Sequence, residues 1–159
     1  NIVLVPPPSA SAWYKQFRFA PALSTWSTSN DWSVGASLSL EWLATPSLFM
    51  KLRLMVGTSG NKPGHPDLST GGSLGVGYEL ANGFRFGLNG LALFYPATGE
   101  YPRERSDERF LGGTGFVGFH FKGFFAEAEA GAGVRFREMP DRVSHASTWT
   151  MAFTLGYRF

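Results

Sequence analysis

Glu138, His145 and Ser147 are residue types that acyl transfer uses. A serine hydroxyl becomes a nucleophile when an imidazole takes its proton and a carboxylate orients that imidazole. His145 and Ser147 share the parity of Trp149, so in an extended chain they face one side together. Glu138 has the parity of Phe136, and a hairpin that sets Phe136 opposite Trp149 places it near Ser147. The plainer reading makes all three polar residues of a rim. Other chemistry is thin. Gly113-Thr114-Gly115-Phe116-Val117-Gly118 matches G-x-G-x-x-G but lies inside an alternating segment, with no helix to receive a phosphate. His65, His120 and His145 fall on separate elements and cysteine is absent, so neither a metal site nor a cofactor is expected.

A second set of residues is ionic: Arg18, Glu41, Lys51, Arg53, Glu79, Arg85, His120, Glu127, Glu129, Arg135 and Arg158. Glu41 and Lys51 are equidistant from the turn at Pro46, and Glu79 and Arg85 from Asn82, so each pair should be cross-strand neighbours. The register that matches Phe136 to Trp149 sets Glu127 opposite Arg158. Opposite charges meeting in a narrow space satisfy one another and favour a plugged polar core over an open channel.

The elements that carry these charges alternate strictly. From Trp32 to Trp42 every even position is apolar, and the odd ones read Ser33, Gly35, Ser37, Ser39 and Glu41. The end of the chain repeats the pattern, with Trp149, Met151, Phe153, Leu155, Tyr157 and Phe159 opposing Thr148, Thr150, Ala152, Thr154, Gly156 and Arg158. Five more segments lie between, at 48–57, 70–80, 84–94, 111–121 and 124–136. An eighth precedes them, from Tyr14 to Thr25, with a bulge expected at Pro21 because a closed sheet has no edge for a residue lacking an N–H. Glycines 75, 77, 87, 131 and 133 should make room for Arg53, Phe116 and Phe125 on the polar face.

The connections sort by parity: long at 27–31, 58–69, 96–108 and 138–146, tight at Thr45-Pro46, Ala81-Asn82-Gly83 and Lys122-Gly123. Aromatics collect at both strand ends. Trp42, Tyr78, Phe84, Phe121, Phe124, Tyr157 and Phe159 mark the tight-turn end; Trp26, Trp32, Phe94, Phe136 and Trp149 mark the other. Short turns, long loops and two aromatic girdles are the pattern of an eight-stranded antiparallel up-and-down transmembrane β-barrel, long loops outside the cell and termini in the periplasm. The rival is a soluble eight-stranded ligand barrel of the lipocalin kind, its apolar face turned inward; strand periodicity alone does not separate the two.

These strands, loops and the ending Leu155-Gly156-Tyr157-Arg158-Phe159 resemble small bacterial outer-membrane barrels of the OmpA/OmpX/OmpW kind. The resemblance covers Tyr14 to Phe159 and is architectural. It implies a Gram-negative outer membrane, contact with lipid and lipopolysaccharide, and insertion by the barrel assembly machinery, for which the terminal aromatic resembles the signal. The His-x-Ser spacing is similar to that of outer-membrane lipid A deacylases of the PagL type, although in that family the acid follows the serine; placing it at Glu138 departs from the pattern.

Composition agrees. Of 159 residues, 16% are charged, 43% are apolar and 20 are glycine. No apolar run approaches the roughly 18 residues of a membrane helix. With 14 basic against 12 acidic residues, nucleic-acid binding is not indicated. Residues 1–12 read as a Pro-rich periplasmic tether and 13–159 as the barrel. The expected role is non-enzymatic, structural or binding, through the outer loops or by docking a larger envelope protein on the small residues Ala126, Ala128, Ala130 and Ala132. The alternatives are passage of a small apolar molecule and lipid A deacylation. Arg103, Arg105 and Arg109 are candidate contacts for lipid A phosphates.

Overall fold

The computed structural model describes residues 16–29, 32–59, 67–95, 107–139 and 142–159. They form eight strands: β1 (Phe17–Thr28), β2 (Trp32–Leu43), β3 (Leu48–Ser59), β4 (Asp67–Glu79), β5 (Phe84–Tyr95), β6 (Asp107–Phe121), β7 (Phe124–Met139) and β8 (Arg142–Tyr157). Each pairs antiparallel with its neighbours in sequence, and β1 with β8 closes the barrel. Following the register once around, Phe17, Trp42, Met50, Val76, Leu88, Gly115, Ala130 and Met151 lead back to Ser27, ten residues further along β1. Such a stagger tilts the strands and sets the barrel's width; eight strands leave an interior that side chains fill.

Period-two alternation puts one face of every strand inside and the other outside. The apolar face is the outer one. Leu23 is 70% exposed and Leu88 67%, whereas Arg53 and Arg85 are at 1% and 0%. In water this would be inside out, because burying apolar area drives folding there and unpaired buried charge opposes it. Hydrocarbon reverses the preference, and a closed barrel leaves no backbone edge unpaired in it. The arrangement excludes the soluble ligand-barrel reading and defines a lipid-facing surface.

Tight turns join the strands at one end. Lys122 and Gly123 have φ of 48° and 89°, the two left-handed residues of a two-residue hairpin whose twist matches its strands. Phe124 and Tyr157 meet edge to face at 5.0 Å between centroids, and Tyr157 meets Phe159 likewise, forming part of the aromatic girdle at this end.

Three expectations need correction. β1 is shifted to Phe17–Thr28 and carries no bulge: its register with β2 runs unbroken through Pro21↔Leu38. Proline is tolerated because the ladder with β8 begins only at Ala22. The last loop, expected at 138–146, shrinks to residues 140 and 141, and the first shrinks to 29–31. The apolar pattern fades before the strands end, since Glu138, His145 and Ser147 lie beyond the apolar band yet remain in the ladder. Trp26, expected in an outer girdle, points into the barrel at 1% exposure. It has the inward parity of Ala20 and Ser24, opposite to Phe19 and Leu23.

Candidate functional site

Inward side chains form successive bands from the tight-turn end to the loop end. The first is ionic. Glu127 accepts from Lys51 at 2.7 Å and Arg53 at 2.6 Å, both projecting from β3, and lies 3.1 Å from Arg85. Glu129 takes Arg53 and the Thr114 hydroxyl. Glu41 binds Arg85, and accepts from Arg158 at 3.0 Å. Nearer the mouth, Glu79 accepts two bonds from Arg158, at 2.8 and 3.0 Å, and one from Arg18 at 3.1 Å. Arg158 also contacts the His120 ring, whose other nitrogen faces the Gly123 amide at 3.2 Å.

Phe49, Phe116 and Phe125 pack among these charges. The Lys51 ammonium lies 3.9 Å from the Phe116 ring centroid, and the Arg85 guanidinium 4.4 Å from that of Phe49, so ring faces supply partial negative charge where oxygens do not. Gly77 is required here: a Cβ would come within 2.4 Å of Phe49 and 2.7 Å of Phe116.

A hydroxyl-lined band follows, in which Ser24 hydrogen-bonds with Ser37 at 2.7 Å and with Thr154 at 3.1 Å. Next comes an apolar collar of Trp26, Met55, Leu91, Leu93, Tyr95 and Phe110. At the loop end a smaller ionic group closes the series, where Glu108 accepts from Arg137 Nε at 2.6 Å and lies 3.5 Å from Arg135.

Of the expected pairs, Glu41↔Lys51 and Glu79↔Arg85 are register neighbours. Glu127 and Arg158 are not: Glu127 pairs in register with Thr154, and Phe136 with His145. The ladder continues to Met139↔Arg142, which displaces the register by four residues along β8, and girdle aromatics need only reach the same interface, not face each other. The ionic partners also cross the lumen. Lys51 turns from its neighbour Glu41 to Glu127, while Glu41 takes Arg85 and Arg158. Equal spacing from a turn reveals neighbours on adjacent strands; it carries no signal for a side chain spanning a barrel. The collar was missed as well, because Met55, Leu91, Leu93 and Phe110 interrupt a face otherwise rich in Gly, Ser and charge.

The acyl-transfer grouping loses its geometry. Ser147 lies opposite Val134 and Glu138 opposite Val143, separating the proposed neighbours by four positions along β8. Glu138 instead takes a bond from Arg109 at 3.3 Å. Among the described residues no hydrogen bond joins His145 to Ser147. Arg109 faces outward, 5.9 Å from the Phe94 ring centroid. Arg103, Arg105 and residues 1–12 lie outside the described residues.

Among the interface aromatics, Trp32, Trp42, Tyr78, Phe124, Phe136, Trp149, Tyr157 and Phe159 are exposed and outward, and Phe94 shares their face at intermediate exposure. Ala126 is outward at intermediate exposure, and Ala128, Ala130 and Ala132 alternate with Glu127, Glu129 and Gly131.

A closed eight-stranded barrel with charge inside and an apolar band outside is built as a membrane-spanning β-barrel. No protein-family profile and no curated protein matches the sequence. Among solved structures the chain is similar to the N-terminal β-barrel domain of Pseudomonas aeruginosa OprF, at 11% identity and a TM-score of 0.56, covering 91% of this chain and 98% of that one. It also matches a major outer membrane protein from Thermus thermophilus at 14% identity and a TM-score of 0.45, covering 90% and 99%. The likeness to the OprF domain is one of fold.

Proposed function

We propose that the chain is a non-enzymatic outer-membrane barrel whose lumen is plugged by its own side chains, with a structural or binding role. The observation that carries this reading is the stacking of two bands across one narrow lumen. The charges of one satisfy each other and leave little free charge for a passing ion, and the collar adds a low-dielectric barrier that an ion crosses only at a high desolvation cost. The outer-membrane setting rests on the lipid-facing band together with the fold shared with the OprF domain. In this reading the loop end is extracellular, the termini are periplasmic, and the barrel assembly machinery inserts the chain. Lipid and lipopolysaccharide surround it, and Ala128, Ala130 and Ala132 give a larger envelope protein a low surface to approach.

Planar-bilayer recording tests the plug. The purified barrel should show no stable unitary conductance, and reproducible channels would overturn the proposal. The collar favours one alternative, passage of a small apolar molecule that shelters among Trp26, Leu93 and Phe110. Uptake of such a solute without ion conductance would promote it.

A further inference from the structure

Among the described residues, His120 is the one histidine with lumen parity, and the plug makes no use of its ring. It stands near the end of β6, beside the tight turn of Lys122 and Gly123. Both ring nitrogens face donors. The Gly123 amide donates to Nε2 at 3.2 Å, and the Arg158 guanidinium meets Nδ1. The acceptor facing the ring is Glu79 Oε1, 3.5 Å from Nδ1. A neutral imidazole fits in one way: its lone pair at Nε2 accepts from Gly123, and its Nδ1 proton points to Glu79. An imidazolium has no lone pair, so the Gly123 amide would lose its acceptor.

The charges around the ring oppose an imidazolium as well. Arg18 from β1, Arg85 from β5 and Arg158 from the chain end act on it, against Glu79 from β4. Glu79 already accepts from Arg158 at 2.8 and 3.0 Å and from Arg18 at 3.1 Å, and Glu41 is engaged by Arg85 and Arg158. From β7 the register neighbour is Phe125, which is uncharged. Lys122, on the turn itself, is a further cation, 5.1 Å from the Phe121 ring centroid. Residues 1–15 contain no carboxylate, so they bring no anion to this mouth. Both effects fall on one joint, because the Arg158 backbone N–H donates to the Gly123 carbonyl at 2.7 Å.

We propose that His120 is a proton-operated latch on the tight-turn mouth. Neutral, it holds the Gly123 amide and leaves Arg158 bridging Glu79 and Glu41. Protonated, it releases that amide and drives Arg158 away from Glu79. The latch goes beyond the plug and is read apart from it: ion channels in planar bilayers would overturn the plug alone. Hydrogen exchange at the Gly123 amide reads the latch, followed by NMR on the full chain refolded in detergent micelles from pH 8 to pH 5. An ordinary imidazole changes charge in that range, and ordinary carboxylates do so below it. His120→Gln removes the titration and keeps a side-chain oxygen to accept from Gly123. At pH 8 the two proteins should exchange alike. At pH 5 the wild-type amide should exchange at least tenfold faster than that of His120→Gln, in step with the ring's own resonances. A ring still neutral at pH 5, or a wild-type amide no faster than that of His120→Gln, would overturn the latch and leave the plug intact.

Discussion

The two halves of the lumen solve one packing problem by opposite means. Toward the tight turns, the interior carries Arg53, Arg85, Lys51, Glu41 and Glu127, each no more than 1% exposed. Toward the loops it carries Trp26, Met55, Leu91, Leu93 and Phe110. Their energetics differ. An ionic band is held by partners, so removing one member orphans several charges. An apolar collar is held by contact, so removing one member leaves a hole that neighbours partly fill. The charged half should therefore be brittle and the apolar half forgiving.

The largest expected effect lies in the charged half. Glu127→Ala removes a carboxylate shared by Lys51, Arg53 and Arg85 and should cost about 3–5 kcal/mol, read as a fall in the urea midpoint of refolded protein. Adding Arg53→Met should recover part of the loss, because fewer cations remain stranded. Additive losses would show that the two residues do not interact as their 2.6 Å contact requires.

A cavity in the collar comes next. Leu93→Ala should cost about 3 kcal/mol, within the usual range for truncating a buried leucine. No second substitution in the ionic band should rescue it. A rescue by Glu127→Ala would mean that the bands are coupled and the contrast between them is false.

On the lipid face, Leu155→Arg should cost about 2–4 kcal/mol if the site lies near the midplane and less toward an interface. The smallest effect belongs to the rim, where Arg109→Ala removes an exposed ion pair and should change stability by about 1 kcal/mol or less. A loss as large as that of Glu127→Ala would show that the rim is folded into the protein's stability and is not a free lipid contact.

The contrast between halves also marks how much of the fold is legible in the sequence. Alternation in β2, β3 and β8 told which side chains share a face, and tight turns at Pro46 and Asn82 told which residues are neighbours. Both are local properties, expressed within a hairpin. The partners of Glu127 belong to strands far away in sequence and are joined only by closure. Trp26 is a different case: its parity pointed inward, and its bulk suggested a girdle that it does not join. The β7–β8 register failed because polar outward residues such as Glu138 and His145 resemble a loop once the strand leaves the apolar band. The acyl-transfer grouping depended on that register.

The central claim is that the faces bearing Leu88, Leu155 and the alternating alanines of β7 meet lipid, while the faces bearing the charges, the hydroxyls and the collar line the lumen. The chain contains no cysteine, so single cysteines can be introduced without background. Spin labels attached at Ala128, Ala130 and Ala132, and at the near-isosteric positions Ser24, Ser37 and Ser73, report the side each faces in liposomes. The first three should be strongly relaxed by oxygen, which partitions into lipid, and the serine positions should be shielded from it. Oxygen reaching the serine positions while the alanine positions stay shielded would contradict the account and restore a barrel with its apolar face inward.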